Sequence, residues 1–177
     1  MLNDSTATDD LNAAYSTALL DTLNRMQEIT EDDPNIPISD GEITKPSFVT
    51  YAIAKLNSLK PDGVVIPFAD GHTRQLPVIT EGPFVYSGYA VDYLRKARTL
   101  VQPGKKLKQA VISASAMSLL YPPTGIADYS QEQFLEDVVK ECTKDIRLCL
   151  DEGASVVQMV KNFIENRNKP YSTPFCN

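Results

Sequence analysis

The sequence predicts an α/β fold built on a parallel sheet. The main evidence is a long helix over residues 131–152, followed by Gly153 and then a strand over 154–159. Helix, glycine and strand in that order are typical of a βαβ unit, whose strands pair in parallel. A further buried strand is predicted over 107–113, where apolar residues cluster.

Length and composition indicate one domain with an ordinary core. The chain has 177 residues, 42% hydrophobic, with a formal net charge of −6. An acidic chain without clustered Lys and Arg is not expected to bind nucleic acid. No signal peptide and no membrane-spanning run are present, and three Cys without close pairing are typical of a reducing compartment. We therefore expect a cytoplasmic protein that binds neither nucleic acid nor membranes.

An amphipathic helix is predicted near the N-terminus, because apolar residues recur at steps of three and four. These residues are Leu11, Ala14, Tyr15, Ala18, Leu19, Leu23 and Met26. Asp9 or Asp10 is expected to cap its start. The proline-containing segment 31–35 ends it. A short strand over 36–38 then runs into the acidic turn 39–42, a position where α/β proteins place their chemistry.

The middle of the chain predicts shorter elements separated by turns that contain glycine or proline. They are a helix over 47–59, a hairpin with strands over 64–68 and 75–80 around the turn 70–72, and a helix over 86–100. Consecutive prolines make 121–125 a loop.

The long helix carries the strongest local signals. Ser130 and Gln133 form a capping box at its start, and Gly153 is the expected left-handed residue after its end. Its predicted buried stripe is Phe134, Val138, Cys142, Ile146, Cys149 and Leu150. Beyond residue 160 the strand–helix alternation stops, so we expect a domain over 1–160 and a polar C-terminal tail over 161–177.

Histidine and cysteine are the candidate reactive side chains of the sequence. His72, the only histidine, lies beside Asp70, which would orient it as a general base, but the sequence favours a residue of a surface turn. Cys142 and Cys149 lie two helical turns apart, about 10 Å, which is too far for a shared zinc and favours packing. Cys176 lies in the tail. No standard catalytic motif is complete.

The turn with Asp40, Gly41 and Glu42 is the most suggestive acidic cluster. It is either a solvated turn or a site at the end of a strand. Lys45 lies three residues after Glu42 and is positioned to pair with it.

The order of several segments resembles the cobalamin-independent methionine synthase family. The matching segments are ISDGE at 38–42 with TKPSF at 44–48, the strand at 107–113, the helix and strand over 128–158, and LDEGA at 150–154 with VVQ at 156–158. Together they cover most of residues 18–159.

The resemblance implies a (β/α)₈ barrel with its site at the C-terminal ends of the strands. The family reaction transfers a methyl group from 5-methyltetrahydrofolate to the thiol of homocysteine, with zinc lowering the pKa of that thiol. Glu42 resembles the residue that holds the substrate ammonium group. The resemblance implies substrate contacts for Asp40, Glu42, Ser113 and Gln158.

Two departures limit this resemblance. Val160 stands where the family has a substrate-binding Asp, and none of the Cys residues or His72 matches the family's zinc ligands. We therefore expect a truncated member of the family, the N-terminal half of a barrel with no cofactor of its own and no independent catalysis. The alternative is a repurposed protein that binds a small molecule or a protein partner. The open sheet edges of a half barrel predict self-association or a complementing protein.

Overall fold

The computed structural model describes residues 4–160. Its helices are α1 (Asp4–Ile29), α2 (Val91–Arg98), α3 (Ala114–Met117) and α4 (Gln131–Asp151), with a 3-10 turn over Ser118–Leu120. Its strands are β1 (Ile38–Ser39), β2 (Leu59–Lys60), β3 (Val65–Pro67), β4 (Thr73–Gln75), β5 (Val78–Ile79), β6 (Leu107–Ile112) and β7 (Val156–Val160). The predicted tail lies outside the described residues. Among residues 4–160 no helix is long and apolar enough to cross a membrane.

Three parallel strands form the main sheet in the order β1-β6-β7. Ile38 lies opposite Leu107, and the ladder between β6 and β7 runs from the Lys108–Val156 pair to the Ile112–Val160 pair. The central strand β6 is almost fully buried, whereas the edge strand β7 is mostly exposed. The α/β class and the β6-α4-β7 unit are therefore confirmed, and the partial barrel stays a prediction.

The strand β1 begins two residues later than predicted. Pro37 has no N–H to donate to a ladder, so pairing starts at Ile38, whose N–H donates to the carbonyl of Lys106 over 3.0 Å. With only two residues, β1 covers just the first part of β6. The later part of β6 must find other partners on that side.

Two antiparallel pairs accompany the sheet. β3 pairs with β4 across the turn that contains Gly71, so the predicted hairpin turn and its first strand are confirmed. The second strand, predicted over 75–80, is wrong: it runs over Thr73–Gln75, and β5 pairs with β2 instead. Gly71 has φ +88°, a conformation that suits glycine in such a turn.

The helix predicted over 47–59 is wrong, because the segment forms turns instead. The Ser47 hydroxyl accepts the N–H of Val49 and so competes with a helical ladder. Further along, Ala52 accepts bonds from the amide and the hydroxyl of Ser87, while the N–H of Lys55 donates to that hydroxyl. Val49, Tyr51, Ala52 and Ile53 are nevertheless buried as an irregular part of the core, whereas Phe48 is exposed.

The helix predicted over 86–100 is confined to α2, because three acidic residues of α4 accept backbone amides of the preceding segment, which is irregular. Asp137, Glu141 and Asp145, here called the carboxylate ladder, each accept one backbone N–H and one tyrosine hydroxyl. Asp137 accepts the N–H of Phe84 and the hydroxyl of Tyr129. Glu141 accepts the N–H of Tyr86 and the hydroxyl of Tyr89. Asp145 accepts the N–H of Ala90 and the hydroxyl of Tyr51.

The carboxylate ladder also changes the predicted buried face of α4. Glu141 and Asp145 are buried in that face, whereas Leu150 is half exposed. Buried residues on α4 recur at steps of three and four through Cys149, so Leu150 falls on the outer side of the helix. The capping box of Ser130 is confirmed.

The N-terminal helix is longer than predicted. α1 already includes Asp4, so Asp9 and Asp10 lie inside the helix and the prediction that they cap it is wrong. Leu19 and Leu23 are fully buried in the core, whereas the predicted apolar residue Leu11 is exposed.

Candidate functional site

The acidic turn lies directly after the C-terminal end of β1, as predicted. Gly41 and Glu42 both have left-handed backbone conformations, with φ +62° and +57°. The Asp40 carboxylate fixes this turn, because its Oδ1 accepts the N–H of Glu42 over 3.0 Å. A left-handed conformation is unfavourable for a glutamate, and such strain is often found at functional positions.

Asp40 is almost completely buried, and its Oδ2 has no hydrogen-bond partner among the described residues. A buried carboxylate oxygen without a donor is unfavourable. Glu42, by contrast, keeps 32% of its side chain exposed. Glu42 is therefore the carboxylate of this turn that a ligand can reach from solvent.

Lys45 and Tyr51 replace the missing part of β1. The Lys45 ammonium donates to the carbonyl of Ala110 over 2.7 Å, and the Tyr51 hydroxyl accepts the N–H of Ile112 over 3.1 Å. Both backbone groups belong to the part of β6 that lies beyond the end of β1. These two side chains thus satisfy the open edge of the central strand.

The Lys45 ammonium is enclosed by aromatic rings and by one carboxylate. It lies 4.7 Å from the ring centroid of Tyr51 and 5.7 Å from that of Tyr93. Its contact with the Glu42 Oε2 is 3.4 Å, longer than a typical charge-assisted hydrogen bond of about 2.8 Å. Lys45 therefore neutralises the charge of Glu42, while the Glu42 carboxylate can still accept further hydrogen bonds.

Tyr51 links this cluster to the carboxylate ladder. Its hydroxyl donates to the Asp145 Oδ2 over 2.6 Å. Burial raises the pKa of Asp145, and burial together with the nearby Asp145 carboxylate raises the pKa of Tyr51. The chain distance of 94 residues between Tyr51 and Asp145 explains why no sequence signal pointed to this pair.

The other two predicted substrate contacts lie on the neighbouring strands. Ser113 directly follows the C-terminal end of β6, as Asp40 follows that of β1, and the Ser113 hydroxyl accepts the N–H of Ala116 and so caps α3. Gln158 is exposed in the middle of β7. Asp40 and Glu42 share one turn, and substrate contact by Ser113 and Gln158 stays a prediction.

The described residues do not suit the zinc ion that the resemblance implies. Within residues 4–160 no group of three His, Cys, Asp or Glu side chains could hold a metal ion. His72 is exposed, hydrogen-bonded to Asp70 and stacked on Phe68. Cys142 and Cys149 are buried, and burial raises the pKa of both thiols, to about 12 for Cys149. Cys176 lies outside the described residues.

Comparisons with known proteins support the fold. No protein-family model and no curated protein sequence matches the chain. Among solved structures, the chain is similar to a B12-independent methionine synthase from Shewanella sp. W3-18-1, solved in complex with selenomethionine. The TM-score is 0.60 and the identity is 19%, over 85% of this chain and 42% of that chain. This chain therefore spans less than half of that protein and shares its fold over the matched part.

Proposed function

We propose that this chain is a methionine-synthase-like protein that binds a small α-amino acid at the turn after β1, with Glu42 holding the ammonium group. Under this proposal the three parallel strands correspond to an open segment of a (β/α)₈ barrel, a fold in which ligands bind at the C-terminal ends of the strands. The observation that carries the proposal is the left-handed, partly exposed Glu42 at the end of β1. The structural likeness to a methionine synthase supports it independently.

Electrostatics favour an ammonium ligand at Glu42. Lys45 is fixed by its strong bond to Ala110 and cannot follow Glu42 outward, so the exposed side of the Glu42 carboxylate is free to accept from a second cation. Asp40, two residues before it in the same turn, is a second, buried carboxyl group. A charge-assisted hydrogen bond in this partly sheltered place contributes about 1.5–3 kcal/mol to binding.

We propose further that this chain does not by itself transfer a methyl group from 5-methyltetrahydrofolate to homocysteine. A free thiol has a pKa of about 8.5 and is only a few per cent thiolate at neutral pH, so the reaction needs a group that lowers this pKa. The described residues offer no set of zinc ligands for that task. Binding without turnover is the function that this geometry supports best.

Calorimetric titration with L-methionine and L-homocysteine tests the proposed site. We expect Glu42→Gln to weaken binding by about tenfold or more, whereas Glu81→Gln, which alters an exposed acidic residue elsewhere, leaves binding unchanged. N-acetyl-L-methionine, which lacks the ammonium group, should bind no better to the wild type than to Glu42→Gln. Equal affinity of wild type and Glu42→Gln for L-methionine would remove Glu42 from the site.

A turnover assay tests the second part of the proposal. The chain is incubated with homocysteine, 5-methyltetrahydrofolate and zinc, and methionine is measured against a reaction without protein. We expect no methionine above the uncatalysed level. Sustained turnover would contradict the proposal and would assign thiol activation to the chain.

A further inference from the structure

The outer edge of β7 is the most open strand edge in the described part of the chain. β7 is the last strand of the sheet, pairs on one side with β6, and consists of Val, Val, Gln, Met and Val. It contains no charged residue and no proline, which are among the devices that usually protect an edge from pairing. β1, at the opposite edge, has only two residues and follows Pro37.

The pairing with β6 fixes which backbone groups of β7 point outward. The N–H of Ser113 donates to the carbonyl of Val160 over 3.1 Å. Backbone groups of successive residues in a strand alternate in direction. Val156, Gln158 and Val160 therefore direct their amides and carbonyls toward β6, and Val157 and Met159 direct theirs away from the sheet.

We infer that β7 pairs with β7 of a second copy of this chain, antiparallel and with the two-fold axis at Gln158. In that register Val157 lies opposite Met159 of the other copy, and by symmetry Met159 lies opposite Val157 of the other copy. Each pair exchanges two hydrogen bonds, so the outward amides and carbonyls of both residues in both copies are satisfied. Gln158 then lies opposite Gln158 as a non-hydrogen-bonded pair.

The side chains of β7 suit this self-pairing. Val156 lies opposite Val160 of the other copy on one face, and Val157 lies opposite Met159 on the other. Val156 and Met159 are 42% and 52% exposed in the single chain, so pairing buries apolar surface. The only polar pair is Gln158 with Gln158, whose amides can donate to and accept from each other. No like charges meet.

This pairing is independent of the proposed amino-acid site, since Glu42 lies at the end of β1, two strands away in the sheet. The experiments below distinguish this dimer from two other occupants of the edge, a complementing protein and residues 161–177 of the same chain. A complementing protein would add a strand of different sequence, and residues 161–177 would leave the chain monomeric. Both outcomes differ measurably from a symmetric dimer.

A charge-swap experiment tests whether the two-fold axis of the dimer lies at Gln158. Gln158 is exposed, so its replacement should leave the fold intact, which circular dichroism checks. Sedimentation velocity at micromolar concentration should show a dimer for the wild type. Gln158→Lys and Gln158→Glu each place two like charges opposite each other and should raise the dimer dissociation constant at least about tenfold. A mixture of the two variants should restore the dimer, and Gln158→Thr should remain dimeric.

Disulfide trapping tests the register. In a Cys176→Ser background, Gln158→Cys should cross-link to itself under mild oxidation, because opposite residues of a non-hydrogen-bonded pair are about 4.5 Å apart at Cα. Val156→Cys and Val160→Cys should not cross-link alone but should do so when mixed. A monomeric wild type would overturn the inference. Self-cross-linking at all three positions would also overturn it, because that result is expected for a parallel, in-register pair.

Discussion

The Tyr51→Phe substitution tests whether a side chain completes the central strand. The Tyr51 hydroxyl donates to the buried Asp145 carboxyl over 2.6 Å and accepts the N–H of Ile112 over 3.1 Å. Removing it leaves the Ile112 amide without its hydroxyl acceptor and takes one donor from Asp145. A hydrogen bond to a charged group contributes about 1.5–3 kcal/mol, and an orphaned buried polar group costs about 1–3 kcal/mol. We expect the free energy of unfolding to fall by about 3 kcal/mol.

Tyr121→Phe provides the matched control. The Tyr121 hydroxyl also donates to one acceptor, the carbonyl of Tyr129, and accepts one amide, that of Ile126, but both partners are neutral and the site is half-buried. We expect this substitution to cost about 1 kcal/mol. Urea unfolding followed by circular dichroism, with unchanged m-values, gives both numbers. Equal losses in the two variants, or a loss below 1 kcal/mol for Tyr51→Phe, would refute the role assigned to Tyr51.

Four further predictions follow from the same contacts. Glu42→Gly should be more stable to urea than Glu42→Ala by about 1 kcal/mol, because both lack the carboxylate and only glycine fits the left-handed backbone without strain; equal midpoints would argue against strain. Burial raises the pKa of Asp145 in the folded state above its ordinary value of 3.8. Ionised Asp145 therefore destabilises the folded state fully at pH values above the raised pKa, and this destabilisation disappears as the pH falls from the raised pKa to 3.8. The stability of wild type relative to Asp145→Asn should therefore increase as pH is lowered through that window, and a flat difference in urea titrations would contradict this. The thiols of Cys142 and Cys149 should resist iodoacetamide until urea unfolds the chain, as read by mass spectrometry, whereas modification of the folded protein would show that they are accessible. Ser130→Ala should lower the free energy of unfolding by about 1 kcal/mol through loss of the capping box, and a helix content and urea midpoint equal to wild type would contradict this.

The elements that were predicted correctly are those whose signals are local. The capping box at Ser130, the left-handed Gly153 and the apolar run of β6 each lie within a few residues of the feature they determine. The turn at Gly71 and the first strand of its hairpin belong to the same group. For these elements, helix caps and turn residues act through the adjacent backbone, so a short window of sequence was sufficient.

The elements that were predicted wrongly depend on distant partners. The apolar spacing over 47–59 suggested a helix, but hydrogen bonds to Ser87 and the burial of Tyr51 against Asp145 override that preference. In the same way, the predicted buried stripe of α4 did not include Asp145, because nothing near it in sequence shows that it accepts the N–H of Ala90. Tertiary contacts of this kind leave no periodic pattern in the sequence.

The candidate site was partly accessible to sequence reasoning. The Asp40–Glu42 turn was identified from its position after a predicted strand, and the structure places it there. Lys45 was expected only as a partner of Glu42, whereas its stronger contact is the carbonyl of Ala110. That contact exists because β1 is too short to cover β6, which the sequence does not reveal.

A crystal structure of the chain with bound L-methionine is the most direct measurement of the proposed function. We predict the ligand ammonium within hydrogen-bond distance of a Glu42 carboxylate oxygen, with Lys45 still bonded to the carbonyl of Ala110. Methionine bound elsewhere in the chain, or a Glu42 side chain that remains turned toward Lys45 with no ligand contact, would contradict it.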